Sequence, residues 1–267
     1  MPRFKIVVRF YKFLPLFKNS MTKFFRLFAL LSALIYTDLQ AQNLDTRCYE
    51  MRIYYPAPGK MPNLLARFRN HTTKLFEKHG MTNIGYWTPL DKPDSVLIYV
   101  MAYPSKEARD VSWKNFASDP EWQKVAKESE IDGKIVAKVE NKFMKSTDFS
   151  PNVLESKGDR VFELRTYKAS KYNLGLLMAR FRNHTLKLFE KHGMSNIIYW
   201  NQDGTDDMLI YVLAHKSKEA GLASFKSFVA DPDWTAARAA SEKLANGSIT
   251  ANIVSQYLVP TDFSPLK

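Results

Sequence analysis

Apolar positions along residues 48–143 change period repeatedly, and each change marks an element. Cys48–Tyr55 alternates and is rich in Tyr and Ile, which predicts a strand. Pro62–His79 carries a 3.6-residue period and stops at Gly80, which predicts a helix with a glycine C-cap. Ile84–Pro89 and Val96–Tyr103 read as strands joined by a turn containing Asp91, Pro93 and Asp94. Lys106–Ser118 is helical. Asp119-Pro120 then offers an N-cap and a first-turn proline to a second helical piece carrying Trp122. Lys134–Phe143 closes the unit as a strand. The order β-α-β-β-α-β is the ferredoxin-like plan, and it recurs from Arg160 to Tyr257.

The third strand is apolar on both faces. Leu97, Tyr99 and Met101 point one way, and Val96, Ile98, Val100 and Ala102 the other. The second copy repeats this with Leu209, Tyr211 and Leu213 against Met208, Ile210, Val212 and Ala214. Such a strand is covered on both faces, whereas one ferredoxin-like unit covers only the face under its helices. The expected fold is therefore α+β: two ferredoxin-like (βαββαβ) units packed sheet to sheet as an intramolecular pseudo-dimer.

The halves are copies. Of the 39 positions in Tyr49–Trp87 and Phe162–Trp200, 23 are identical, and Ala66–Met81 matches Ala179–Met194 at 15 of 16. The tail Thr147-Asp-Phe-Ser-Pro151 returns as Thr261-Asp-Phe-Ser-Pro265. Two copies mean a duplicated domain and not a solenoid. The expected boundaries are a leader at 1–41, a first domain at 42–150 and a second at 151–267.

The carrying residues are Glu50-Met-Arg52-Ile-Tyr54, Arg67 to Met81, Tyr86-Trp87 and Asp119-Pro-Glu-Trp122. Their counterparts are Glu163-Leu-Arg165-Thr-Tyr167, Arg180 to Met194, Tyr199-Trp200 and Asp231-Pro-Asp-Trp234. Over some 210 residues this pattern resembles the NIPSNAP family of the dimeric α+β barrel superfamily. The resemblance implies the barrel reached independently from the two-faced strands. It implies little about activity, because that family has no settled catalytic residues. Other proteins on the fold include small monooxygenases and haem-dependent enzymes, and fold does not fix function.

The leader changes how the charge is read. The 267-residue chain carries a formal +12, which invites nucleic acid or an anionic membrane. Residues 1–41 hold seven of the bases and one acid, leaving 32 bases and 26 acids mixed along the remainder as on a solvated surface. No nucleic-acid partner is expected. Lys23 and Arg26, the apolar run Leu27–Tyr36 and the small residue Ala41 before Gln42 follow the plan of a secretory signal peptide. Met21 is a plausible start behind an N-terminal extension. Ten apolar residues are too few to span a bilayer, so the mature chain is expected to be secreted or periplasmic, with no stable membrane span. A single cysteine, Cys48, forms no internal disulfide and reads as a buried strand residue.

Candidate chemistry is sparse. On a wheel of Pro62–His79, Leu64, Leu65, Phe68, Leu75 and Phe76 form the buried arc. His79 lies near its centre and reads as a closure of the helix end. His71 lies at the arc edge one turn from Arg67, and His184 recurs beside Arg180. Such a pair suits an anionic ligand or a general base, or else a helix–sheet hydrogen bond. His71 and His79 are about 12 Å apart along the axis, too far for one metal ion. No motif marks a metal or haem ligand, so no cofactor is assigned. On the first strand Glu50, Arg52 and Tyr54 share one face and Met51 and Ile53 the other, as do Glu163, Arg165 and Tyr167 against Leu164 and Thr166. If the apolar face meets the helices, the polar face looks into the space between the sheets. There it makes either a registering ion pair or a ligand wall, with Tyr99, Tyr211, Trp87 and Trp200 adding aromatic surface. Pro56-Ala-Pro-Gly59 against Ala169-Ser-Lys-Tyr172, and Gly85 against Ile198, suggest a more open mouth in one half.

Two functions follow. One is an exported module that binds a small molecule or a protein through the pseudo-dimer. The other is a cofactor-independent or haem-assisted small oxygenase or isomerase with its site between the sheets. Either way the chain is expected to be a monomer, since fusion already supplies the partner sheet.

Overall fold

The computed structural model describes residues 45–151, 158 and 160–267. The leader, Met21 and residues 42–44 lie outside the described residues. In the first half β1 (Cys48–Pro56) leads to α1 (Met61–Arg67), a π-helical turn (Phe68–Thr72) and α2 (Thr73–Lys78). Then come β2 (Thr82–Pro89), β3 (Leu97–Tyr103), α3 (Lys106–Ser118), α4 (Pro120–Ser129) and β4 (Val136–Ser146). The second half repeats this as β5 (Val161–Ala169), α5 (Leu174–Arg180), a π-helical turn (Phe181–Thr185) and α6 (Leu186–Lys191). It ends with β6 (Ser195–Gln202), β7 (Met208–His215), α7 (Lys218–Val229), α8 (Pro232–Leu244) and β8 (Thr250–Pro260). Among the described residues no helix is long and apolar enough to cross a membrane.

The eight strands close into one barrel, in the order β1-β3-β2-β8-β5-β7-β6-β4. Each half supplies an antiparallel four-stranded sheet of ferredoxin-like order. The halves join edge to edge: Trp87, Thr88 and Pro89 of β2 pair with Pro260, Val259 and Leu258 of β8. Met144, Lys145 and Ser146 of β4 pair with Gln202, Asn201 and Trp200 of β6. The pseudo-dimer expected from the two-faced strands is the one observed.

The barrel interior is apolar and filled. Met51, Ile98, Val100 and Ala102 from the first half meet Phe162, Ile210, Val212 and Ala214 from the second. Each half sends its Trp across: Trp87 packs on Phe162 with centroids 5.7 Å apart, and Trp200 on Tyr49 at 5.6 Å. Neither indole N–H has a partner. Gly85 makes room for this, because a Cβ there would fall 2.1 Å from the Trp87 ring. Its counterpart Ile198 is buried in the same core. The Gly85/Ile198 difference is thus interior packing and opens no mouth. In the differing loops Gly59 (φ 72°) and Tyr172 (φ 67°) both sit in the left-handed region, so the two share that turn position.

Two features hold the halves together reciprocally. The tail of each half crosses to the other. Phe263 packs on Tyr86 and Phe68 of the first half, and Ser264 Oγ accepts from the Tyr86 amide at 3.0 Å. Phe149 packs on Tyr199 and Phe181 of the second half, and Ser150 Oγ accepts from the Tyr199 amide at 2.9 Å. Arg69 and Arg182 of the π-helical turns clamp Asp262 and Asp148 of the crossing tails. The repeated Thr-Asp-Phe-Ser-Pro string is a swapped strap.

Candidate functional site

Glu50, Arg52 and Tyr54 face the helices and not the barrel interior. The register of β1 against β3 places them opposite Met101, Tyr99 and Leu97, so all six share the helix-side face. This corrects the sequence expectation, and the physical reason is partner supply. The interior is built of apolar groups, whereas α3 and β4 bring polar ones to the helix side. The fully buried Glu50 accepts from Arg52 Nη1 at 2.7 Å and from Arg109 at 2.8 and 2.9 Å. It also accepts from Asn141 Nδ2 at 3.1 Å and Tyr103 OH at 3.3 Å. Burial alone would raise its pKa, but Arg109, Arg52 and Asn141 together hold it below the ordinary value. The Arg52 guanidinium lies over Trp113 at 4.3 Å.

The second half rebuilds this site with different neighbours. His215 stands where Tyr103 stood, Gly221 replaces Arg109, Phe225 replaces Trp113 and Ser255 replaces Asn141. Glu163 accepts from Arg165 Nη1 and Ser255 Oγ, each at 2.5 Å, and contacts His215 Nε2 at 2.9 Å. Burial again pushes its pKa up, and His215, Arg165 and Ser255 more than reverse it. Arg165 donates to Tyr211 OH at 3.0 Å and Tyr167 OH at 3.1 Å. In the first half the matching Arg52 Nε and Tyr99 OH have no partner. Gly221 is needed here, since a Cβ would lie 2.9 Å from Tyr257 Oη and 3.0 Å from the His215 ring.

Arg67 and Arg180 diverge more consequentially. Both are buried at 7% and 6% exposure, and they lie over Trp122 of α4 and Trp234 of α8. Burial lowers the pKa of both. Arg67 pairs with Glu130 at 3.3 Å. The residue matching Glu130 is Glu242, but on α8 the position of Ala126 is taken by Arg238, which binds Glu242 at 2.9 Å one helical turn away. Arg180 keeps a single 3.3 Å bond to Ser241 Oγ and no ion pair, while the buried Nε is without a partner in both arginines.

Arg180 borders a cleft of about 480 Å³ between sheet and helices, shared with Arg165, Phe225, Phe228, Trp234 and Arg238. The matching cavity of the first half is about 200 Å³, with Trp113 in its wall. Trp87 and Trp200 face the barrel interior, while Tyr99 and Tyr211 lie on the helix side.

His71 and His184 are exposed. A 100° wheel places His71 at the buried arc, but the π-helical turn inserts extra arc, and both histidines turn outward. His71 and Arg67 line one groove of about 300 Å³. His184 lines an open groove of about 630 Å³, and Arg180 borders the cleft under α7 and α8. His79 and His192 bind Asp119 and Asp231 at 2.7 Å, and those aspartates cap α4 and α8 by accepting from Glu121 N and Asp233 N. His79 thus ties the end of its helix to the N-cap of α4, where the sequence reads as a closure on the free carbonyls of its own helix.

The NIPSNAP family model matches residues 49–151 and 162–265. A candidate monooxygenase of Lactobacillus acidophilus NCFM superposes with a TM-score of 0.54 at 11% identity, covering 81% of this chain and 94% of its own. One from Fusobacterium nucleatum gives 0.55 at 10%, covering 80% and 92%. A NIPSNAP family protein of Agrobacterium tumefaciens gives 0.36 at 27%, covering 40% of this chain and 99% of its own. No curated protein matches this sequence.

Proposed function

The chain belongs to the NIPSNAP family, and from that premise we propose that it is an exported small-molecule-binding module whose site is the cleft in its second half. The observation that carries this reading is Arg180, a buried guanidinium that makes no ion pair of its own, because the carboxylate matching the Glu130 partner of Arg67 is bonded to Arg238. A buried charge without a counter-charge is costly until a ligand meets it. The cleft volume falls in the range of about 300–1,000 Å³ common to small-molecule sites, and its wall mixes aromatic rings with a few polar groups. The larger groove beside His184 lacks such a group: its polar lining is mostly exposed.

The full chain purified from its native host carries close to one equivalent of a small organic compound, detectable by mass spectrometry after denaturation. Ala251→Trp, which fills the cleft, removes the compound. Ala117→Trp at the matching first-half cavity does not. An empty native chain, or a compound retained by Ala251→Trp, overturns the reading. Export rests on the leader, and sequencing of the mature N-terminus should begin at Gln42.

A second reading, a cofactor-independent or haem-assisted oxygenase or isomerase, is favoured by the buried contact of His215 with Glu163. An imidazole oriented by a carboxylate has the makings of a general base. Its site moves from between the sheets to the helix side. Turnover of the co-purified compound, abolished by His215→Gln with the compound still bound, would favour this reading; unchanged turnover would end it.

A further inference from the structure

We infer that the second-half cleft takes a monocarboxylate carried on a flat apolar body, and that the first half does not bind it. This rests on the proposed cleft site and deepens it. Pairing sets the charge. Around the second-half cleft stand three guanidinium groups, Arg165, Arg180 and Arg238, against two carboxylates, Glu163 and Glu242. The first half also sets three, Arg52, Arg67 and Arg109, against two carboxylates, Glu50 and Glu130, but there Arg67 is itself ion-paired, with Glu130 at 3.3 Å. A ligand carboxylate therefore gives Arg180 the ion pair that Arg67 already has.

Geometry sets the headgroup. A guanidinium is a planar donor fork that matches a carboxylate edge to edge. Arg180 spends Nη1 on Ser241 and leaves its buried Nε unspent; Arg67 leaves its Nε unspent too but already holds the carboxylate of Glu130. Position sets the body. The Arg180 guanidinium lies 4.9 Å from the Trp234 ring centroid, and Phe225 and Phe228 stand on the same wall, so a planar apolar group reaches aromatic surface while its acid meets Arg180. Phe225 in place of Trp113 accompanies the larger volume, about 480 against 200 Å³.

The test is calorimetric titration of the full chain with 1-naphthoate and with its neutral analogue 1-naphthalenemethanol. The acid should bind at one site per chain, about ten- to a hundredfold tighter than the alcohol, the span expected of a charged hydrogen bond. Arg180→Met abolishes that preference and Arg67→Met leaves it. Should Arg180→Met fail to fold, Glu242→Gln on the partly exposed face of α8 serves instead. It removes the competing carboxylate and should tighten naphthoate severalfold. Equal binding of acid and alcohol at a site blocked by Ala251→Trp overturns the carboxylate class and leaves the cleft site standing. Two equal sites per chain overturn the asymmetry. No binding of either probe overturns the inference, and co-purification of another compound then judges the cleft by itself.

Discussion

Glu50 and Glu163 occupy the same strand position and meet different neighbours, and their removal should cost different amounts. Glu50→Gln removes a fully buried carboxylate and strands two partly buried arginines, so a loss of about 3–5 kcal/mol is expected on chemical unfolding. Glu163→Gln strands one arginine where Glu50→Gln strands two, so it costs less. All four carboxylates at these positions and the helix caps have pKa values held below the ordinary range. For Glu50 and Glu163 burial opposes the shift and loses. For Asp119 and Asp231 the hydrogen bonds of Lys78 with His79, and of Lys191 with His192, lead it. A carboxylate with a depressed folded pKa adds stability above its unfolded value, about 4, and loses it as pH falls through the folded one. The unfolding midpoint should therefore hold from pH 7 to about 5 and fall below 4, and the fall should shrink in Asp119→Asn/Asp231→Asn. Gly85→Ala, which drives a methyl into Trp87, should cost about 1–3 kcal/mol. At this scale the alternation of β1 was readable and its orientation was not. Period two separates two faces without saying which one meets the helices, and that depends on where Arg109 and Asn141 arrive. The one visible signal for Arg180 was the Arg238/Glu242 spacing of four on α8, absent from α4.

The elements were largely legible because local chemistry fixes them. Ser105 and Ser217 cap α3 and α7, Asp119-Pro120 and Asp231-Pro232 start α4 and α8, and Gly80 and Gly193 end the first helices with positive φ. The π-helical turns were not legible. Thr72 and Thr185 hydroxyls bond back to the carbonyls of Arg67 and Arg180 five residues earlier, a closure that an apolar pattern of period 3.6 does not announce. The swapped straps were visible as a repeated string but not as a crossing, since sequence shows that two tails are alike and not which half each covers. The crossing makes a reciprocal prediction for hydrogen exchange. Phe263→Ala should speed exchange at the Tyr86 amide in β2, in the first half. Phe149→Ala should speed it at the Tyr199 amide in β6, in the second half. Exchange rising in the half that owns the mutated tail would contradict the crossing.

At the scale of the molecule, duplication frees the halves to differ. Both keep the barrel seam, the straps and the caps, and only the second half opens the cleft and releases its arginine. Closure of the barrel uses both pairs of sheet edges, so the full chain should run as a monomer in sizing with light scattering. The proposed ligand sits outside the sheet under α7 and α8, and in one half alone. The five tryptophans distinguish the possibilities, since Trp234 lines the cleft, Trp122 its first-half counterpart, and Trp87 and Trp200 the barrel interior. Fluorine spectra of the full chain with 5-fluorotryptophan, titrated with 1-naphthoate, should move the Trp234 resonance and leave Trp87, Trp200 and Trp122 in place. Movement at Trp87 and Trp200, equal movement at Trp122, or no movement at Trp234 would contradict it.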